Sequence, residues 1–188
     1  MDWWNTAVHP FIDLGLFRAP TYGLVLCVAI LVGVRLAVKR TQDLGIDREF
    51  AYAYLSLTVV VALLGAKLTD WIIARGALSL NTLASGGGTF LGGFLFATLA
   101  CYLAAHRAKI PLLVWGDVCA PSLALGAAIV RIGCFAASCD YGKATDLPWA
   151  VVFTRPEAAR LTGVPLAVPL HPSQLYESAL GVVLFGSC

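Results

Sequence analysis

Five apolar stretches, separated by polar connections, constrain this chain more than any other feature. They run from about Tyr22 to Val38, Ala51 to Ile73, Phe90 to Ala105, Leu112 to Phe135 and Ser173 to Cys188. A helix of about 20 residues crosses the ~30 Å of bilayer hydrocarbon, and a backbone in lipid must satisfy its own polar groups. The expected fold is therefore all-α, a polytopic transmembrane helical bundle with about five membrane segments. Residues 1–188 would form a single integral membrane domain. Charged residues are 13% of the chain, against about 25% in soluble domains, and the mean hydropathy is +0.81. The net charge of +2 is too small to point to nucleic acid. The first nineteen residues hold Asp2, His9, Pro10, Asp13 and Arg18, which is not the pattern of a signal peptide.

Basic residues in short loops set orientation. Lys39, Arg40 and Arg48 fall in the first connection, Arg107 and Lys109 in the third, and Arg75 alone in the second. The first and third connections are expected in the cytoplasm and the N-terminus outside. Arg131 lies twenty residues past Pro111, about 30 Å along a helix, which puts it near the outer interface. Lys67 is sixteen residues past Ala51, about 24 Å by the same rise, with Asp70 one turn on. The guanidinium fork of an arginine matches phosphate oxygens. Lys67 and Arg131 therefore read either as snorkelling cations or as contacts for a phospholipid headgroup.

His171 to Glu177 reads HPSQLYE and opens the fifth segment from outside. Ionisable groups at a membrane helix are costly without a function. If the helix includes His171, then His171, Gln174 and Glu177 share roughly one face. The plainer reading is a helix cap with interfacial polar residues.

Upstream lies Arg131 to Gly142, RIGCFAASCDYG. Cys134 and Cys139 can bring their thiols together only if the helix ends between them. Packing thiols are the default reading. A disulfide is an alternative, and without a second Cys pair zinc is weakly supported, so no metal and no cofactor is expected. The glycine cluster from Gly86 to Gly93 lacks the lysine of a phosphate loop. It suits close helix crossing or anion contact at a helix start. Tyr22, in PTYGL, opens the first segment.

Together these landmarks resemble the bacterial prolipoprotein diacylglyceryl transferase family. They are Tyr22-Gly23-Leu24, the turn ending at Gly92-Gly93, Asp117 with Ala120-Pro121, Arg131-Ile132-Gly133 with Phe135, and HPSQLYE. The resemblance implies a multi-pass enzyme of the bacterial cytoplasmic (inner) membrane. It would move the diacylglyceryl group of phosphatidylglycerol onto the lipobox cysteine of a preprolipoprotein, with the bilayer as its medium. It further implies His171, Glu177 and Tyr22 as catalytic groups. Arg131, as phosphate clamp, would contact substrate with Lys67, Gly92, Gly93, Gln174 and Tyr176.

Four positions depart from the family pattern. Leu91 stands where the family usually has a proton-carrying His, Cys134 replaces an Asn, Cys139 a Glu and Lys67 an Arg. The family also continues through further helices, so the chain is expected to be an incomplete form. Two other classes stay open: a non-catalytic binder of phospholipid or lipoprotein precursor, and a thiol redox protein using Cys134 and Cys139.

Overall fold

The computed structural model describes residues 9–13, 15, 18–74 and 89–188. Arg75 and Gly86 to Gly88 lie outside them. Six helices are described: α1 (Thr21–Asp43), α2 (Arg48–Ala74), α3 (Phe90–Ala108), α4 (Leu112–Ala137), α5 (Pro156–Thr162) and α6 (Ser173–Gly186). Four short strands form two antiparallel pairs. β1 (Phe11–Asp13) pairs with β2 (Arg18–Pro20), and β3 (Val151–Val152) with β4 (Pro169–Leu170).

Among the described residues, α1 to α4 are long and apolar enough to cross a membrane. Large apolar side chains such as Leu31, Leu64, Phe94 and Leu123 stand exposed on them. That surface belongs in hydrocarbon, since a water-soluble protein keeps its apolar patches small. The protein is a multi-pass helical membrane protein. The helix ends extend past the apolar runs. α1 continues through Lys39 and Arg40 to Asp43, and Gly45, at φ +71°, turns the chain. Asp47 then caps α2 by accepting from the Phe50 amide at 2.9 Å.

The chain divides into two compact units, Met1–Gly33 with Leu123–Cys188, and Val34–Ser122. In the second unit, Ala37, Val38, Ala51, Leu55, Ala104, Ala105 and Trp115 form the core. Here α2 and α3 pack at backbone distance. A β-carbon on Gly92 would strike the Thr69 side chain and come within 2.7 Å of the Gly65 carbonyl oxygen, whereas one on Gly93 would meet, among the described residues, Ala62 O at 3.3 Å and Ala66 Cβ at 3.4 Å.

In the first unit, α6 lies against α4. A β-carbon on Gly181 would meet Ala124 O and Ala128 Cβ at 3.0 Å, and Ser178 donates to the Ala128 carbonyl at 2.9 Å. The long connection between α4 and α6 is built rather than loose. Its Val151, Phe153, Ala158, Val164 and Leu170 form a small core with Phe135 of α4. The β1–β2 pair is tied to α5 through Arg18, which meets Asp13 and Glu157, each at 3.0 Å.

Candidate functional site

α4 stops at Ala137, and Ser138 (φ 62°) and Asp140 (φ 54°) reverse the chain through left-handed backbone. Aspartate tolerates that region better than most residues. The reversal carries Asp140 back to Arg131, nine residues earlier, where Nη1 donates to Oδ2 at 2.8 Å. From α6, Glu177 Oε2 meets Arg131 Nε at 2.6 Å. The guanidinium thus sits between two carboxylates, each on a different nitrogen, with its side chain 33% exposed. Its Nη1 also lies 4.0 Å from the Cys134 sulfur.

The HPSQLYE segment is fastened to this reversal by backbone and side chain alike. His171 N donates to Lys143 O at 3.0 Å, and Gly142 N to His171 O at 3.1 Å. Ser173 Oγ donates to Asp140 O at 2.7 Å, and the buried Gln174 donates through Nε2 to Cys139 O at 2.6 Å. Gly142 is required for this approach, because a β-carbon there would lie 2.7 Å from both Cβ and O of His171.

The shared helical face for His171, Gln174 and Glu177 is corrected in one respect. The helix begins at Ser173, with Pro172 as its N-cap. His171 therefore precedes it and sits in the backbone ladder beside Gly142. Gln174 and Glu177 do face the end of α4 together. The ring of His171 turns to Tyr176, with Nδ1 3.2 Å from its hydroxyl, and Trp149 Nε1 donates to the same hydroxyl at 2.7 Å. An indole N–H only donates, so the Tyr176 oxygen accepts from Trp149 and its proton is free to point at His171.

Tyr22 lies at the start of α1, within electrostatic range of Cys134, Cys139, Asp140 and Arg131. Gly133 lets the two helices meet, since a β-carbon on it would contact Val25 at 3.0 Å. Tyr22, Arg131, His171, Gln174, Tyr176 and Glu177 thus gather in one unit. Lys67, Gly92 and Gly93 belong to the other. Lys67 is half-buried on α2, one turn before Asp70, and Gly92 and Gly93 lie in the α2–α3 contact. Leu91, next to them, is 59% exposed.

Sequence reasoning passed over Asp140 and Trp149. Asp140 stood in the quoted signature, but its pairing depends on the reversal at Ser138. Trp149 is 27 residues from Tyr176 and carries no local signal.

Cys134 and Cys139 are free thiols brought together, as the helix end between them requires. Outside the helix, Cys139 is pulled below the ordinary thiol range chiefly by its hydrogen bond with Cys134, while burial and the Asp140 charge oppose this.

Fold and site together define a multi-pass helical membrane protein with a partly exposed arginine held by two carboxylates. Comparison with known proteins narrows the class. The family model for prolipoprotein diacylglyceryl transferase matches residues 10–188, and the chain belongs to that family. A phosphatidylglycerol–prolipoprotein diacylglyceryl transferase of Geobacter sulfurreducens is 40% identical over 186 residues, covering 93% of this chain and 67% of the relative. Its counterpart in Clostridium tetani is 31% identical over 167 residues, covering 87% and 65%. That of Polynucleobacter necessarius is 30% identical over 195 residues, covering 95% and 71%. The chain spans about two thirds of the length of these curated relatives.

Proposed function

We propose that this chain carries the chemistry its relatives are named for, moving the diacylglyceryl group of phosphatidylglycerol to the lipobox cysteine of a prolipoprotein. In that reaction the bond between the glyceryl carbon and the phosphate oxygen breaks. A carbon–sulfur bond forms, glycerol phosphate leaves with the electron pair, and a base takes the thiol proton. Such a site must neutralise the departing phosphate and help the thiol ionise.

The observation that carries this reading is the double pairing of Arg131 with Asp140 and Glu177. A lipid phosphate reaches the guanidinium by exchanging with one of those carboxylates. Binding the phosphate would then release a base beside the leaving group. Glu177, on α6, is our choice for that base. His171 stands next, in contact with Tyr176, and Tyr22 lies within range of the same charges. Gln174 and Tyr176 would order the site. Lys67, Gly92 and Gly93 are proposed as further lipid contacts. The loop charges support an N-terminus outside, and a place in the cytoplasmic membrane follows from the proposed chemistry.

Leu91 favours a second reading, a phospholipid or lipoprotein-precursor binder without catalysis. It is exposed, and its side chain cannot carry a proton. Complementation of a transferase-depleted strain, with a transfer assay on the purified chain in phosphatidylglycerol micelles, separates the two. Transfer that falls with Glu177→Gln and Arg131→Lys supports the enzyme. Lipid binding without any transfer supports the binder.

A further inference from the structure

The pair of thiols beside Arg131 is not used by the transfer reaction. Cys134 and Cys139 are five apart, and the chain reversal at Ser138 folds one back onto the other. Asp140 joins them: one ligand atom from each of the three residues lies within 4.8 Å of the other two. Cys134 is buried, Cys139 half-buried and Asp140 exposed, so two sulfurs form the floor and a carboxylate the rim. We propose that Cys134, Cys139 and Asp140 form a binding site for a thiophilic divalent cation of the zinc class.

The donor set suits that ion. Thiolate sulfurs bind zinc at about 2.3 Å and carboxylate oxygens at about 2.0–2.2 Å, which sets neighbouring ligand atoms roughly 3.5–3.8 Å apart in a tetrahedron. Closing from the 4.8 Å limit takes about 1 Å of side-chain motion, within the reach of rotamer changes at a helix end. The exposed rim leaves the fourth position to solvent.

Arg131 does not forbid the site. A carboxylate has two oxygens, so Asp140 can keep Oδ2 on Arg131 Nη1 and offer the other. Metal-binding carboxylates are commonly held by such an outer hydrogen bond. Two thiolates with Asp140 and Glu177 would place four negative charges around one guanidinium. A divalent cation offsets two of them. Each thiol loses its proton to solvent as its sulfur takes the ion, and no electrons move. This inference does not rest on the transfer reading.

Cadmium is the probe, added to the detergent-purified chain after reduction with a phosphine. One equivalent should bind, with a sulfur-to-cadmium ultraviolet band and release of protons, and zinc should displace it. Cys134→Ser and Cys139→Ser should each abolish the band. Asp140→Asn should weaken binding by about tenfold or more. A second contacting pair, Cys101 and Cys119, supplies the control: with both changed to Ala the equivalent must remain. If the serine variants fail to fold, protection of Cys139 from maleimide by cadmium in the unaltered chain decides the matter. The inference is overturned if no equivalent binds or Cys139 is unprotected. It is equally overturned if binding disappears with Cys101 and Cys119, or Asp140→Asn binds as the parent does.

Discussion

Replacing Arg131 by lysine keeps the charge and removes the fork. In the parent, Nε holds Glu177 at 2.6 Å and Nη1 holds Asp140 at 2.8 Å. A single ammonium replaces two separate donors, so one contact stays short and the other lengthens. A hydrogen bond to a charged group contributes ~1.5–3 kcal/mol when well shielded, and an exposed ion pair about 0–1 kcal/mol. The side chains of Arg131, Asp140 and Glu177 are 33%, 59% and 48% exposed. The lost contact is therefore worth about 1 kcal/mol. For a chain of this length that corresponds to a midpoint lower by roughly 2–4 °C. Losing the two-pronged match to phosphate should weaken phosphatidylglycerol binding about five- to tenfold.

The assay is thermal unfolding in one detergent, with and without phosphatidylglycerol, for parent, Arg131→Lys, Glu177→Gln and the double variant. Residues that share a contact are non-additive, so Glu177→Gln should cost less once Arg131 is lysine. Equal midpoints for parent and Arg131→Lys, strict additivity in the cycle and unchanged lipid binding would together refute the reasoning.

Three further outcomes are expected. Gly92→Ala pushes a β-carbon to within 2.7 Å of a backbone oxygen and should destabilise by about 1–3 kcal/mol, whereas Gly116→Ala meets nothing within 4 Å among the described residues and should gain up to ~1 kcal/mol of helix propensity; circular-dichroism melts of the two rank them. Trp149→Phe removes the donor to Tyr176 and should cost about 0.5–1 kcal/mol. Thermal unfolding of the variant beside the parent reads that loss. Cys139, with its pKa drawn down and its side chain half-buried, should react with maleimide before Cys134 and at a pH below that of an ordinary thiol. Because the Asp140 charge holds that pKa up, Asp140→Asn should shift the reaction to still lower pH, as mass spectrometry of timed samples would register.

Four spanning helices could be read from the chain because lipid imposes a rule local to each segment: about 20 apolar residues whose backbone bonds close within the helix. Tyr22–Val38 became Thr21–Asp43 because the helix runs on past its apolar run through Lys39 and Arg40. The arginine was legible too, as a costly charge at the end of an apolar run. HPSQLYE stood out for the same reason.

What surrounds Arg131 was decided by tertiary structure. Asp140 reaches it through two left-handed residues, itself and Ser138, and a serine does not announce such a conformation. His171 left the helix face because its backbone pairs with Gly142 and Lys143, some 30 residues earlier in the chain. The core behind the site joins Phe135 of α4 to Val151, Leu170 and Ala158, which come from strands of two residues and a seven-residue helix, and to Phe153 and Val164, which lie between those elements. Elements that short carry no periodic pattern. Their conformation is fixed by long-range hydrogen bonds and burial, which a sequence specifies but does not display.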